Sequence, residues 1–263
     1  MKLFSLRRAP LAAAFLAAVL LCAPSPGSAA EPDQGLIERL HFDLFFGPLP
    51  VGRAVISEYY LDSPAGDLRN YVFKAESYAV VDVVYKVRDH VESVLDNTDG
   101  RSLWYLKSIL DDGERVTSQT RFNWKKSIAR KITGGKVDSR VFLPAGVLDP
   151  LSVLYQVREF SLSGFGVRNM LVTDGRSLEN AIFQVEKREK VRVPTGEFNA
   201  FKVKVDLFNV ESPLNTGGEN NFTVWVAPEH GNMPVKIAAP IDLGPFNGVL
   251  NAALIKVEKH PRE

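Results

Sequence analysis

Few residues in this sequence have the spacing that metal binding or catalysis requires. The four histidines, His41, His90, His230 and His260, are far apart and form no His-x-x-x-His pair, so we expect no metal site. A site assembled from histidines and carboxylates remote in sequence stays open as a lesser alternative. The Gly-x-Ser-x-Gly signature of a serine nucleophile is absent. These patterns predict no catalytic residue and no cofactor, and therefore a protein that is not an enzyme.

A short segment with helical spacing indicates a candidate binding site. Leu151, Leu154, Tyr155 and Arg158 stand at i, i+3, i+4 and i+7 and would share one helix face. A guanidinium on an apolar face must be paired or reach water. Two roles stay open for Arg158, an ion pair with a strand carboxylate or with carbonyls, and a clamp for an acidic ligand headgroup. We add Trp124 to these four as a candidate for lining an apolar binding cavity.

The same segment carries the signals of a helix start. Asp149 is a good capping residue, and Pro150 suits the first helical position. The pattern predicts one helix from Asp149 to about Phe160.

The rest of the chain from residue 39 to 258 alternates with a period of two, which is typical of half-buried strands. Residues 69–81 show this alternation, and the clearest example is Phe201 to Leu207, where apolar residues alternate with Lys202, Lys204 and Asp206. Tight-turn pairs separate the strands: Asp99-Gly100, Asp112-Gly113, Gly134-Gly135, Asp174-Gly175 and Gly217-Gly218. About a dozen strands would leave exposed edges in a flat sheet. We therefore predict an all-β fold, a large antiparallel and strongly wrapped sheet, with the one helix packed in or against its concave side.

The N-terminal segment has the three zones of a secretory signal. Three cations precede residue 9, residues 11–22 are continuously apolar, and Ser28-Ala29-Ala30 supplies small residues before Glu31. Twelve apolar residues are fewer than the roughly 20 of a membrane-spanning helix. We predict a cleavable signal peptide over residues 1–30 and a single β-barrel-like domain over 31–263, with no stable membrane span. Leu21 stands where lipidation would need a small residue, so we do not expect a lipid anchor at Cys22.

Composition narrows the classes of partner. The chain of 263 residues has 45% hydrophobic and 24% charged residues, which suits a packed core. Beyond the signal, 29 basic residues stand against 31 acidic ones, so nothing predicts nucleic-acid binding. Cys22 is the only cysteine, which leaves the mature chain without a disulfide.

Three segments occur in a characteristic order: Asp149-Pro150-Leu151-Ser152, then Gly196 to Val203 with Phe198, then Trp225 to Glu229 with Pro228, followed by Pro234. In this order they resemble the bacterial exported family catalogued as domain of unknown function 3108. We treat Asp149, Pro150, Gly196, Phe198, Trp225, Pro228 and Pro234 as the structural motif of this resemblance. The resemblance implies a Gram-negative cell-envelope protein that looks like the helix-filled barrels of periplasmic lipoprotein carriers. It implies no chemistry.

These observations lead to two hypotheses for function. The first is a periplasmic, non-enzymatic protein that binds an apolar or amphipathic envelope molecule, such as a lipid or a lipoprotein-like ligand. The second is an interaction module for another envelope protein or a glycan.

Overall fold

The computed structural model describes residues 34–63, 66–111, 113–160, 162, 166–210, 220–243 and 246–260. They contain a fourteen-stranded antiparallel sheet that is nearly closed and barrel-like, so the all-β prediction is confirmed. The predicted signal segment with Cys22, the turn pair Gly217-Gly218 and Asp112 lie outside the described residues. The strands are β1 (Leu36–Phe46), β2 (Leu49–Leu61), β3 (Leu68–Ser77), β4 (Arg88–Asp96), β5 (Arg101–Asp111), β6 (Glu114–Asn123), β7 (Ile128–Thr133), β8 (Lys136–Phe142), β9 (Val167–Thr173), β10 (Leu178–Val193), β11 (Gly196–Asp206), β12 (Asn221–Ala227), β13 (Met233–Leu243) and β14 (Phe246–Lys259).

Neighbouring strands in the sheet are consecutive in the chain, except where β1 pairs with β14. The first half runs β8 to β1, β1 pairs with β14, and the second half then runs from β14 to β9. Because all neighbours are antiparallel, every turn from an odd-numbered strand to the next even-numbered one lies at the same end of the sheet. We call this end the odd–even end. β8 and β9 form the two edges of the sheet.

The gap between these edges is bridged by side chains and by one turn. The β9–β10 turn reaches across to the other half, where Lys131 Nζ lies 3.1 Å from Asp174 Oδ2, and both side chains are buried. Thr120 Oγ1 donates to the Asp174 carbonyl at 2.5 Å, and Ser139 Oγ donates to the Gly175 carbonyl at 2.7 Å. Gly175 has φ +87°, and a Cβ there would lie 2.7 Å from the Thr120 methyl. Any larger residue would be strained at this φ and would push against the Thr120 side chain and the Lys131 Cβ, so the close approach requires glycine.

Two α-helical segments interrupt the strands in the described part of the chain. α1 (Ala79–Asp82) is a single turn between β3 and β4, and α2 (Pro150–Gln156) is followed by a 3₁₀ turn, Val157–Glu159. The predicted helix is therefore present, although its last part is 3₁₀ and not α-helical. The alternation over 69–81 is only partly a strand, because β3 ends at Ser77 and α1 follows.

The buried apolar side chains form one cluster that includes both halves of the sheet and α2. In β11 the alternation is realised as expected, since Val203 and Val205 are buried while Lys204 is exposed, and Leu207 directly after the strand is buried as well. α2 packs against β3, β4 and β9. Since α2 has only seven residues, its order comes from this packing and not from helix propensity.

Candidate functional site

A small apolar cavity lies between α2 and the sheet, and we call it the helix cavity. Its volume is about 60 Å³. Both halves of the sheet contribute to its wall, with residues from β1, β2 and β3 and from β10 to β13. The strand residues that line it are Leu40, Ile56, Phe73, Phe183, Val205, Phe222, Val224, Pro234 and Ile237.

The four residues predicted to share one helix face all line this cavity. Leu151 is 2% exposed, and Leu154 and Tyr155 are half-buried beside it. The Tyr155 ring stacks on Tyr71 of β3, with ring centroids 3.8 Å apart. Burial raises the pKa of the Tyr155 hydroxyl well above its ordinary value, so the phenol is neutral.

Arg158 is the only charged side chain among the described residues that line the cavity. Its Nη1 donates to Glu38 Oε2 on β1, and its Nη2 donates to Glu38 Oε1 at 3.3 Å. Its Nε donates to the Gly231 carbonyl at 3.3 Å. Lys259 Nζ lies 3.2 Å from the same Glu38 carboxylate. Arg158 therefore makes both contacts of the structural alternative, a strand carboxylate and a backbone carbonyl.

Glu58 of β2 contributes a second carboxyl near this end of the helix. Burial raises the pKa of Glu58, while the positive charges of Arg158 and Arg69 act in the opposite direction. Asn232 Nδ2 donates to the Arg158 carbonyl at 2.6 Å, which ties the end of the helical segment to the β12–β13 turn.

The start of α2 is held by a buried polar group that we call the cap cluster: Ser93, Ser102, Asp149 and Ser152. Asp149 Oδ1 accepts from the backbone N–H groups of Leu151 and Ser152, each at 2.9 Å. Its Oδ2 accepts from Ser93 Oγ at 2.6 Å and from Ser102 Oγ at 2.5 Å. Ser93 Oγ also lies 2.7 Å from Ser152 Oγ. All four residues are essentially inaccessible to solvent, so the cluster fixes where the helix begins and carries no exposed chemistry.

Sequence reasoning identified Asp149 but missed Ser93, Ser102 and Glu38. A signal for Ser93 was present, because it stands between Val91 and Leu95 in the register that faces the core. A small polar residue at such a position indicates a buried hydrogen-bond partner. The partner itself is 56 residues away in the chain and could not be identified from the strand alone.

Trp124, the fifth binding candidate, lies elsewhere. Its indole Nε1 donates to the Ser102 carbonyl at 2.8 Å, and the Arg101 guanidinium stands 5.6 Å from its ring centre. It is not among the described residues that line the helix cavity. The structure thus brings four of the five binding candidates together and places the fifth beside the cap cluster.

The residues of the structural motif have local roles, and only one of them lines the cavity. Asp149 caps α2, Pro150 is its first residue, and Pro234 belongs to the cavity wall. Phe198 meets His230 edge to face at 5.3 Å, and Trp225 Nε1 donates to Glu189 at 2.7 Å. Gly196 begins β11 at φ +140°, and Pro228 begins a 3₁₀ turn.

Two further observations concern the described residues as a whole. Within them, no three His, Asp or Glu side chains converge in a way that could hold a metal ion. No helix in that part of the chain is both long and apolar enough to cross a bilayer.

Comparison with known proteins gives a family and a fold. The family described as "Protein of unknown function (DUF3108)" matches residues 41–251. A beta-barrel-like protein of domain of unknown function DUF1849 from Brucella abortus superposes with a TM-score of 0.54 at 12% identity, over 87% of this chain and 99% of that one. A protein with a YmcC-like fold from Bacteroides fragilis aligns with a TM-score of 0.33 at 12% identity, over 86% and 96% of the two chains. Among curated proteins, none matches this sequence.

Proposed function

The chain belongs to the family of proteins of unknown function DUF3108, and we propose that it is a periplasmic, non-enzymatic protein that binds an apolar or amphipathic envelope molecule. In this proposal α2 sits on the concave side of the wrapped sheet and covers the binding space. The three-zone N-terminal pattern supports export, and the resemblance to exported proteins agrees with it.

One observation carries the binding proposal. The helix cavity is lined by apolar side chains from both halves of the sheet, with a single charged side chain, Arg158, among its described lining residues. Sites for small molecules are concave and mostly apolar, with a few placed polar groups. An acyl chain or another hydrocarbon group suits such a wall, whereas a sugar or a peptide would leave its polar groups without partners.

The size of the cavity determines how binding must occur. A volume of about 60 Å³ holds a few water molecules, whereas ligand pockets usually measure about 300–1,000 Å³. An acyl chain therefore cannot enter unless the wall moves. α2 is the element that can move, because it has only seven residues and its order depends on packing. We propose that the ligand displaces the Leu154 and Tyr155 side of α2 and takes its place against the sheet.

The two ends of the helical segment are held differently, which gives this displacement a direction. The cap cluster at Asp149 is fully buried and makes four hydrogen bonds to one carboxylate. The Arg158 end has a more exposed ion pair with Glu38, which has Lys259 as a second partner. In the proposal the Arg158 end moves outward while the Asp149 end stays in place, and Lys259 keeps Glu38 paired.

A titration with a fluorescent long-chain fatty acid tests the proposal on delipidated mature protein. We expect saturable binding by the wild type. Leu154→Trp should weaken binding by about tenfold or more, because the larger side chain fills the cavity and the ligand must then displace more buried apolar contact. Leu178→Trp is the matched control, because Leu178 is an exposed leucine at the start of β10 outside the cavity wall.

Native mass spectrometry of exported protein complements the titration. Co-purified lipid that disappears in Leu154→Trp and persists in Leu178→Trp is the expected result. No binding of the probe and no co-purified lipid would overturn the proposal, as would equal binding by both variants. Cross-linking that captures one envelope protein while the cavity stays empty would favour the interaction module instead.

The variant Arg158→Met distinguishes a structural role of Arg158 from a role in contacting the ligand. Because both Nη groups contact Glu38, we expect this change to lower stability, and because the ligand no longer has to break this ion pair, fatty-acid binding per folded molecule should be retained or become tighter. Loss of binding at an unaltered melting temperature would show instead that Arg158 contacts the ligand.

A further inference from the structure

The loop between β3 and β4, residues 78–87, exposes apolar side chains at the odd–even end. Val83 is 86% exposed, the largest value among the exposed large hydrophobic residues described, and Val84 and Tyr85 beside it are exposed as well. Lys86, also exposed, follows directly. Residues 83–86 are thus four consecutive exposed residues: two aliphatic side chains, one aromatic and one cationic. An exposed apolar run of this kind is unusual on a monomer's surface and marks an interaction site.

The loop is held in a defined shape by polar contacts beneath its apolar tip. Ser77 Oγ donates to Asp82 at 2.5 Å, and Arg88 Nη2 donates to the same carboxylate at 2.5 Å. The Val87 N–H donates to Ser77 Oγ at 2.8 Å. Backbone bonds within the loop, such as Val84 N–H to the Val81 carbonyl at 2.9 Å, complete the turn. The exposed valines are therefore presented by an ordered scaffold.

The carboxylates around the loop are occupied by neighbouring groups. Asp82 is paired with Arg88, and Asp43 accepts from the Tyr78 hydroxyl at 3.1 Å. Glu76 lies 3.1 Å from Arg53. The tip itself, residues 83–86, contains no acid and one cation, Lys86.

From this arrangement we propose that the β3–β4 loop docks the protein on a phospholipid bilayer. Val83 and Val84 insert among the acyl chains near the headgroups, Tyr85 lies at the interface and Lys86 contacts phosphate. This order matches the layers of a bilayer interface, where aliphatic groups lie deepest, aromatic rings next and cations at the headgroups. A convex tip suits a deformable surface, whereas it would need a preformed pocket on a protein partner.

The charge around the loop determines whether docking requires anionic lipid. Lys86 is the one charged residue of the tip, residues 83–86, and the nearby cations Arg53 and Arg88 are paired with Glu76 and Asp82, so the loop offers little net attraction to anionic lipid. Insertion should then rest on apolar contact and occur on zwitterionic phosphatidylcholine. The docking loop lies at the opposite end of the sheet from Arg158, because the Gly231 turn that Arg158 contacts joins an even-numbered strand to an odd-numbered one. The inference therefore does not depend on the helix cavity.

Co-flotation of the mature protein with phosphatidylcholine vesicles tests this inference. We expect the wild type to float with the vesicles in moderate salt, and Val83→Asp/Val84→Asp to lower the bound fraction by about tenfold, since acidic side chains are costly inside a bilayer. Val167→Asp should bind as the wild type does, because Val167 is also an exposed valine, at 58%, but lies at the other end of the sheet. Because the substituted side chains are exposed, we expect every variant to have a melting temperature close to that of the wild type.

A second measurement reports the contact itself. The predicted mature chain lacks cysteine, so Val83→Cys and Val167→Cys each give a single site for an environment-sensitive dye. Vesicles should increase and blue-shift the emission of the Val83 label and leave the Val167 label unchanged. Absence of wild-type flotation would overturn the inference. Equal binding by the double Asp variant, or binding that requires anionic lipid and disappears in salt, would do so as well.

Discussion

The buried carboxylate of Asp149 offers a sensitive test of how the helix is held in the sheet. It accepts two backbone N–H groups of α2 and two serine hydroxyls from the neighbouring strands β4 and β5. Asp149→Ala removes both oxygens that accept these four hydrogen bonds. The backbone N–H of residue 149 still donates to Ser102 Oγ, and Ser93 still contacts Ser152, so the hydroxyls keep one partner each.

The magnitude follows from these contacts. Loss of a helix N-cap costs about 0.5–2 kcal/mol. Each hydrogen bond to a charged acceptor contributes about 1.5–3 kcal/mol, reduced here because both hydroxyls retain a contact. We therefore expect Asp149→Ala to lower the free energy of unfolding by about 4 kcal/mol. Asp149→Asn keeps one oxygen for the backbone groups and can donate to hydroxyls that turn to accept, so we expect about 1–2 kcal/mol.

Urea denaturation followed by tryptophan fluorescence provides the assay, with the midpoint and the slope compared among variants. Asp99→Ala is the matched control, since Asp99 also pairs with a neighbour, Arg101 at 2.8 Å, but both side chains are about half exposed. An exposed pair of this kind contributes less than about 1 kcal/mol. If Asp149→Ala costs no more than Asp99→Ala, the cap cluster does not hold the helix and the reasoning is wrong.

Three further expectations follow from the packing and the charges. Leu151→Ala should lower the free energy of unfolding, measured with urea, by about 2–5 kcal/mol. Leu154→Ala should lower it less, because Leu151 is fully buried while Leu154 faces the cavity. Equal losses would contradict this placement. Lys131→Met should cost about 3–5 kcal/mol by leaving the Asp174 carboxylate buried without its cation, and adding Asp174→Asn should recover part of the loss in a double-mutant cycle. Hydrogen bonding to Lys256 and Arg39 outweighs partial burial and lowers the pKa of Glu258 from 4.5 to about 2, so the folded state binds this proton more weakly than the unfolded state. The stability that Glu258 contributes is therefore present above pH 4.5 and lost as the pH falls from about 4.5 to about 2. Over this range Glu258→Gln should show a smaller drop in melting temperature than the wild type. An identical drop would refute the assignment.

Local chemistry was enough to predict the elements of the fold. The alternation in β11 predicted a buried face because side chains of a strand point to opposite sides in turn, and the burial of Val203 and Val205 agrees. Asp149 and Pro150 predicted the start of α2 because a cap acts on N–H groups only two or three residues away. The shared face of Leu151, Leu154, Tyr155 and Arg158 followed from helical periodicity, and all four line one cavity.

The alternation over 69–81 was a misleading local signal. Val80 and Val81 follow Ser77 with strand-like residue types, yet this part of the chain leaves the sheet for α1 and the exposed β3–β4 loop. Propensity describes how residues fit a pleated surface, and it cannot tell whether a neighbouring strand is there to receive them. That depends on where β4 begins to pair with β3.

What the sequence determined about this protein is thus the period of each element, the turns and the capped start of the helix, because these depend on residues a few positions apart. The tertiary structure alone decided which side chains meet across the sheet. Glu38 is 120 residues from Arg158, and Asp174 is 43 residues from Lys131. Each pair forms because fourteen strands pair in one order and curve until distant segments touch. The volume left beneath α2 is decided in the same way, since it is the part of the space beside the curved sheet that the side chains leave unfilled.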